Sequence, residues 1–412
     1  MRARTAVAIV VLGTLVPVVQ SADWPQVLGP NRDSHSTETE LLATWGKAGP
    51  PLVWSKDVGT GFAGVAVAEG KIVLFHRTGN DEKLTALDAA TGKELWVFEA
   101  KTRYIDDFNF DNGPRCVPLI AGGKVFALGA DGDLHAVDFA NGKKLWSKNV
   151  RAEYKAPKGY FGVGSVPILL KDGTTSKLLV NVGGKGAGVV AFDPDTGKEL
   201  WKATDDPPGY AAPVQVTLNG KPTVAFFTRS GLVWTDADGT VLFTHPWRSR
   251  LDASVNAASP VVRGSDVLLT SSYGTGAVLL RPNGKVLDEV WSNDTSMSCQ
   301  INTPVLVGDY LYGLHGRQEG GSAKLRCVEW KTGEVKWSVD RFGCASLIAV
   351  EGALLAVTEG GELVRFATDA TGYKELARGT IIDGTVRALT ALADGKLYVR
   401  NEKKLVCINL KK

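Results

Sequence analysis

The chain has 412 residues, with 47 basic against 44 acidic side chains and a formal net charge of +3. So even a balance, with no long basic run, gives no footprint for nucleic acid, which is not an expected partner. Five cysteines (Cys116, Cys299, Cys327, Cys344, Cys407), odd in number and with no Cys-x-x-Cys pair, exclude a disulfide framework, and buried inert thiols are expected.

The first element in chain order is a targeting segment. Arg2 and Arg4 precede an apolar run over residues 6–19, and the small residues Ser21 and Ala22 follow. This is the layout of a secretory signal peptide over residues 1–22, with an apolar part too short for a membrane span. No later stretch is apolar enough to cross a bilayer. A periplasmic or secreted protein is therefore expected, without a transmembrane segment after signal cleavage. Residues 23–50 read as an N-terminal extension.

From residue 51 a phrase recurs. Residues 85–98 read TALDAATGKELWVF, 135–148 HAVDFANGKKLWSK, 190–203 VAFDPDTGKELWKA and 326–339 RCVEWKTGEVKWSV. Weaker copies lie at 233–243, 279–291 and 364–376, and a closing fragment at 405–410. Each phrase is an alternating apolar stretch ending at an acidic residue, then a turn with Gly92, Gly142, Gly197 or Gly333, then a stretch bearing a Trp. The glycine supplies the positive φ of a tight turn, and the Asp side chain bonds the turn amides. A second hairpin signal precedes each phrase, near Ala66, Leu119, Ile168, Val214, Val261, Val305, Ile348 and Ala391. Four short strands recurring roughly every 40–55 residues are a propeller blade, and eight such units make one domain over 51–412. The last unit lacks a Trp-bearing outer strand. Residues 51–58 (PLVWSKDV) offer one, with Trp54 standing as Trp96 does in the first unit. The expectation is an all-β, eight-bladed propeller of four-stranded antiparallel blades, closed by an N-terminal strand that completes the last blade and removes the open sheet edges.

The phrases ALDAATGKELW and AFDPDTGKELW resemble the quinoprotein, or pyrroloquinoline-quinone (PQQ)-type, repeat over residues 51–412. That resemblance implies eight blades with a Trp packed between neighbours. The opening DWPQVLGPNRD, with FTHPWRSR at 243–250 and WSND at 291–294, resembles a bacterial subgroup of secreted propellers. The wider family includes quinone-dependent alcohol and glucose dehydrogenases, and also the propeller lipoprotein of outer-membrane β-barrel assembly, which binds no quinone. A quinone enzyme of this type needs a metal, an Asp base and a flat platform. In the alcohol-oxidising branch, the resemblance implies two adjacent cysteines in that platform, and no two cysteines are adjacent here.

Other chemistries lack their motifs. His35, His76, His135, His245 and His315 show no zinc spacing, and no G-x-S-x-G elbow or P-loop is present. GGKGAG at 183–188 reads as a hairpin turn, since no helix follows it. Asp107, Asn109 and Asp111 place oxygens at alternate positions and are weak calcium candidates. The glycine comes one place late for an EF-hand loop, and a solvated loop is the competing reading.

Aligning the inner strands on Pro118, with Val65, Pro167, Pro213, Pro260, Pro304, Leu347 and Thr390, suggests a channel-mouth site. Three places earlier stand Arg115 and Arg387, flanking Phe62, with Asn256, Gln300 and Asn302 across the mouth. Lys185, Arg229, Arg248, Arg250 and Arg317 add cations on loops. Guanidinium forks bind anionic or carbonyl-rich groups, and pair equally well with blade-turn carboxylates to hold a ring together. The function expected is a non-catalytic binding or assembly scaffold for a protein or envelope polymer, with no cofactor. The alternative is a PQQ- and calcium-dependent oxidoreductase acting on an alcohol or sugar. Carbohydrate binding, with Trp234, Trp247 and Trp330 outside the regular Trp set, is a third reading.

Overall fold

The computed structural model describes residues 22–252, 254–318 and 321–412. The expected leader lies outside these residues except for Ala22. The described chain forms eight four-stranded antiparallel sheets and a single short helix, Val150–Glu153. No described helix is long and apolar enough to cross a membrane.

The blades cover residues 65–101, 119–149, 168–203, 214–246, 261–293, 305–339 and 345–380, each in simple up-and-down order from the innermost strand outward. The eighth combines the three strands of 391–409 with the outer strand Leu52–Asp57. Trp54 pairs with Cys407, Ser55 with Val406 and Lys56 with Leu405. The ring is closed as the sequence predicts.

The repeated phrase acts through three local devices. Asp88 Oδ1 accepts from the Thr91 amide at 2.8 Å and its hydroxyl at 2.6 Å, while Gly92 takes φ +70°. Next comes a β-bulge. Ala86 pairs with Trp96 but Leu87 pairs with Glu94, so Leu95 is the extra residue, half exposed while Trp96 turns inward. The same shift recurs before Trp146 and Trp201, and at Val53 before Trp54. The strand borrowed from the N-terminal side therefore presents its Trp as the others do.

Each inward Trp then spans to the next blade. Trp96 Nε1 donates to Phe139 O at 3.1 Å, Trp146 to Pro194 O at 3.1 Å, and Trp54 to Ala89 O at 3.2 Å. The indole lies on the neighbour's turn glycine, where no side chain fits: a Cβ on Gly142 would stand 2.4 Å from Trp96 Cε3. Phe243 and Ala377 replace Trp in the fourth and seventh blades. Between blades the core is apolar, with Ile72, Leu74, Leu87 and Leu405 fully buried.

Candidate functional site

In each unit the linker from the preceding blade enters the innermost strand, so these linkers gather around the channel on one face. Residues 24–36 run across the ring's interior. Trp24 and Val67 exchange amide-to-carbonyl bonds at 2.9 and 2.8 Å, and the Ile120 amide donates to Pro25 O at 2.8 Å. Arg32 donates to Pro213 O at 2.8 Å, Pro167 O at 2.5 Å and Gln26 Oε1 at 2.8 Å. His35 Nε2 lies 2.8 Å from Leu306 O, and the Ala349 amide donates to Ser34 O at 2.8 Å. One short segment that bonds the innermost strands, or the residues entering them, of six blades must lie across the axis. It fills the channel.

The seat is specific. Leu28, Arg32 and Ser34 are non-glycine residues held in the left-handed region, at φ near +59°, each a conformation that costs of order 1–3 kcal/mol unless its surroundings impose it. Arg32 is 3 % exposed. Its acceptors are two carbonyls and an amide oxygen, and it makes no ion pair among the described residues. Burial draws its guanidinium down to about 9. Between the segment and the wall, Trp24, Ser34, Asn302, Thr303, Ser346 and Thr390 enclose a void of about 10 Å³, room for roughly one water.

The residues expected at the mouth divide into separate groups. Arg115 and Arg387 do flank Phe62, each guanidinium 5.5 Å from the ring centre. Arg115 is largely spent inside its own linker: it pairs with the fully buried Asp106 at 2.7 Å and donates to Asp111 O at 2.7 Å and to Gly113 O. Arg387 is more open, with its Nε 3.7 Å from Glu359. A second group fastens residues 247–256. Asn256, 2 % exposed, donates to Thr228 O at 2.9 Å and Trp247 O at 3.0 Å, and Arg229 donates to the carbonyls of Asp252 and Ser254. Arg248 makes an exposed pair with Asp252, and Arg250 is exposed. In a third group, Gln300 bridges Tyr273 OH and the Gln318 amide, and Arg317 lies over Tyr273 at 4.7 Å. Asn302 lines the inner void, and Lys185 is exposed in the turn of a blade-three hairpin, between strands ending at Gly184 and starting at Ala187.

The carboxylates of the 107–111 loop diverge. Asp107 pairs with Lys158 at 2.6 Å, whereas Asp111 accepts from the Gly61 and Gly113 amides at 3.0 and 2.5 Å. Asn109 is exposed. No group of three or more His, Cys, Asp or Glu side chains among the described residues is arranged to hold a metal ion. The histidines are dispersed, and burial, reinforced by nearby cations, pulls His76 and His135 down to about 4.

Two features escape sequence reasoning. Glu82 accepts from the Ala130 amide at 3.0 Å, tying the first blade to the second, and burial pushes its carboxyl up to about 7. At 1 % exposure it has no access to a substrate. Phe108, Phe110 and Ile105 are about half exposed or more on the linker face. The DFNF spacing was a visible signal for the two phenylalanines, which aim apolar rings out of a polar loop.

Fold and repeat together define a PQQ-type-repeat β-propeller. A family model described as outer membrane protein assembly factor BamB matches residues 47–225 and again 173–373, and the chain belongs to that family. Among solved structures it is similar to BamB from Moraxella catarrhalis, at 16 % identity with a TM-score of 0.59 over 88 % of this chain and 98 % of that one. It is also similar to the quinohemoprotein alcohol dehydrogenase ADHIIG from Pseudomonas putida HK5, at 14 % identity and TM-score 0.53, covering 94 % and 80 %. At such identities the likeness is one of fold. By sequence, 146 residues are 38 % identical to the quinoprotein ethanol dehydrogenase of Pseudomonas aeruginosa, covering 33 % of this chain and 21 % of that protein. The chain thus spans about a fifth of the length of the curated relatives it matches.

The quinone that such dehydrogenases are named for does not fit the residues in this channel. A flat cofactor needs a slot, and the interior is occupied by residues 24–36, with a water-sized void beside them. A calcium ion needs converging oxygens, and the acids here diverge. Cys116, Cys327 and Cys407 stand in separate blades or linkers, and no two of the five cysteines are adjacent in the chain.

Proposed function

We propose that this chain is a non-catalytic, exported propeller that serves as a binding or assembly scaffold in the cell envelope, without a cofactor, engaging its partner through the linker face. The observation that carries this reading is the channel filled by the chain's own residues 24–36, pinned by Arg32. A rigid disc with a closed centre has its linkers and loops left to work with. Membership of a family described as an outer membrane assembly factor supports the scaffold role, and the arginine-flanked apolar run at residues 6–19 supports export.

The competing reading, a PQQ-dependent oxidoreductase of alcohols or sugars, draws on the partial identity to a quinoprotein ethanol dehydrogenase. Titration of the purified full chain with PQQ and calcium separates the two. The scaffold reading expects no saturable absorbance change and no dye-linked oxidation of ethanol or glucose. A saturable change accompanied by turnover would overturn it.

A further inference from the structure

On the linker face, the linkers between blades one and two and between blades two and three raise a ridge of aromatic rings. Phe108 packs on Phe161 at 5.2 Å and on Tyr160 at 6.1 Å, and Phe110 packs on Phe161 at 5.9 Å. Tyr210 supports Phe161 from below, accepting its amide at 2.9 Å with the rings 6.0 Å apart. The crest is wet: Ile105 is 64 % exposed, Phe108 47 % and Phe110 48 %. Folding gains little from rings left in water, and a contiguous apolar patch is a mark of an interaction surface.

Guanidinium groups seat against the same rings. Arg387 lies 5.6 Å from the Phe110 centre, and Arg229 lies 5.4 Å from Tyr160. A guanidinium held against a ring is ordered in advance, which lowers the entropy lost when a carboxylate binds. Charge around the ridge leans positive: Lys158, Arg229, Arg248 and Arg387 stand against Asp107, Asp252 and Glu359, while Asp106 and Asp111 are buried and engaged within the linker. Aromatic anchors with arginines at their edge are the composition of protein-binding hot spots. A sugar platform would need open ring faces beside acids and amides. Here the rings tilt 40–61° against one another, and Asp107 is taken by Lys158.

We infer that this ridge, formed by Ile105, Phe108, Phe110, Tyr160 and Phe161 with Arg387, docks an acidic protein segment that inserts an apolar side chain among the rings and sets a carboxylate on the Arg387 guanidinium. This rests on the scaffold reading and names the surface and partner chemistry of that reading.

The probe is a short fluorescein-labelled peptide alternating Asp or Glu with Leu and Phe, followed by anisotropy against the full chain. Saturable binding that weakens with salt is expected. Phe108→Ser with Phe110→Ser should weaken it at least tenfold, and so should Arg387→Glu, each with native circular dichroism. The inference is overturned if the parent chain does not bind, if both variants bind as the parent does, or if a Lys-substituted peptide or maltohexaose binds equally well. PQQ titration of the same samples reads the scaffold conclusion separately: a quinone signal sinks that conclusion, and absent peptide binding without a quinone signal sinks the ridge alone.

Discussion

Two arginines that look equivalent in the sequence differ at the scale of single residues. Arg115 and Arg387 share an alignment column and flank the same ring, yet Arg115 neutralises Asp106, whose side chain is completely buried, while the partner of Arg387, Glu359, is 28 % exposed. Removing one member of a buried pair leaves a charge without solvent or counterion. Arg115→Ala should therefore cost about 2–4 kcal/mol in chemical denaturation, and Arg387→Ala about 1 kcal/mol or less. Equal losses would show that Arg115 does not hold its linker. The inner-strand alignment set both arginines beside Phe62, where the structure has them, but did not expose this distinction. An inner-strand alignment compares positions between blades, whereas the partner of Arg115 sits nine places earlier in an irregular linker that no repeat describes.

The repeated elements were the most legible part. Strand starts near Leu119, Ile168, Val214, Val261, Val305 and Ala391 coincide with observed strands because period-two apolar alternation and turn glycines are local signals. The role of those glycines is partly conformational and partly steric, and the two can be separated. Gly142 at φ +73° lies under Trp96, whereas Gly284 at φ +64° in the fifth blade has nothing within 4 Å of its missing Cβ. Gly284→Ala should cost about 1 kcal/mol for the left-handed backbone. Gly142→Ala should cost about 1–3 kcal/mol more, because the indole must shift. Equal losses in thermal denaturation would mean that the Trp-to-glycine contact between blades adds nothing. The extension at 23–50 is the opposite case. Its contacts are mostly backbone bonds to strands scattered over some 300 residues, and nothing in its composition encodes them.

For the whole molecule, closure and filling of the ring come from the same end of the chain. Residues 52–57 complete the eighth blade, and residues 24–36 cross the channel. Closure was readable because one Trp-bearing strand was missing at one end of the array and spare at the other. Filling was not, and it moves functional attention from the channel to the linkers. Asn302, expected at an open mouth, instead lines a water-sized void beside the crossing segment, and Asn256 and Gln300 are bonds within the wall. A buried, unpaired guanidinium is expensive, so Arg32 is where the filled channel has the most to lose.

The most direct test is hydrogen–deuterium exchange of the full chain, read over residues 24–36. The Trp24 and Ser36 amides, bonded to Val67 O and Ala349 O, should exchange as slowly as those of the inner strands they contact. Exchange at the rate of an exposed loop would mean that the segment lies outside the ring, leaving the channel open to a cofactor and the scaffold conclusion without its support.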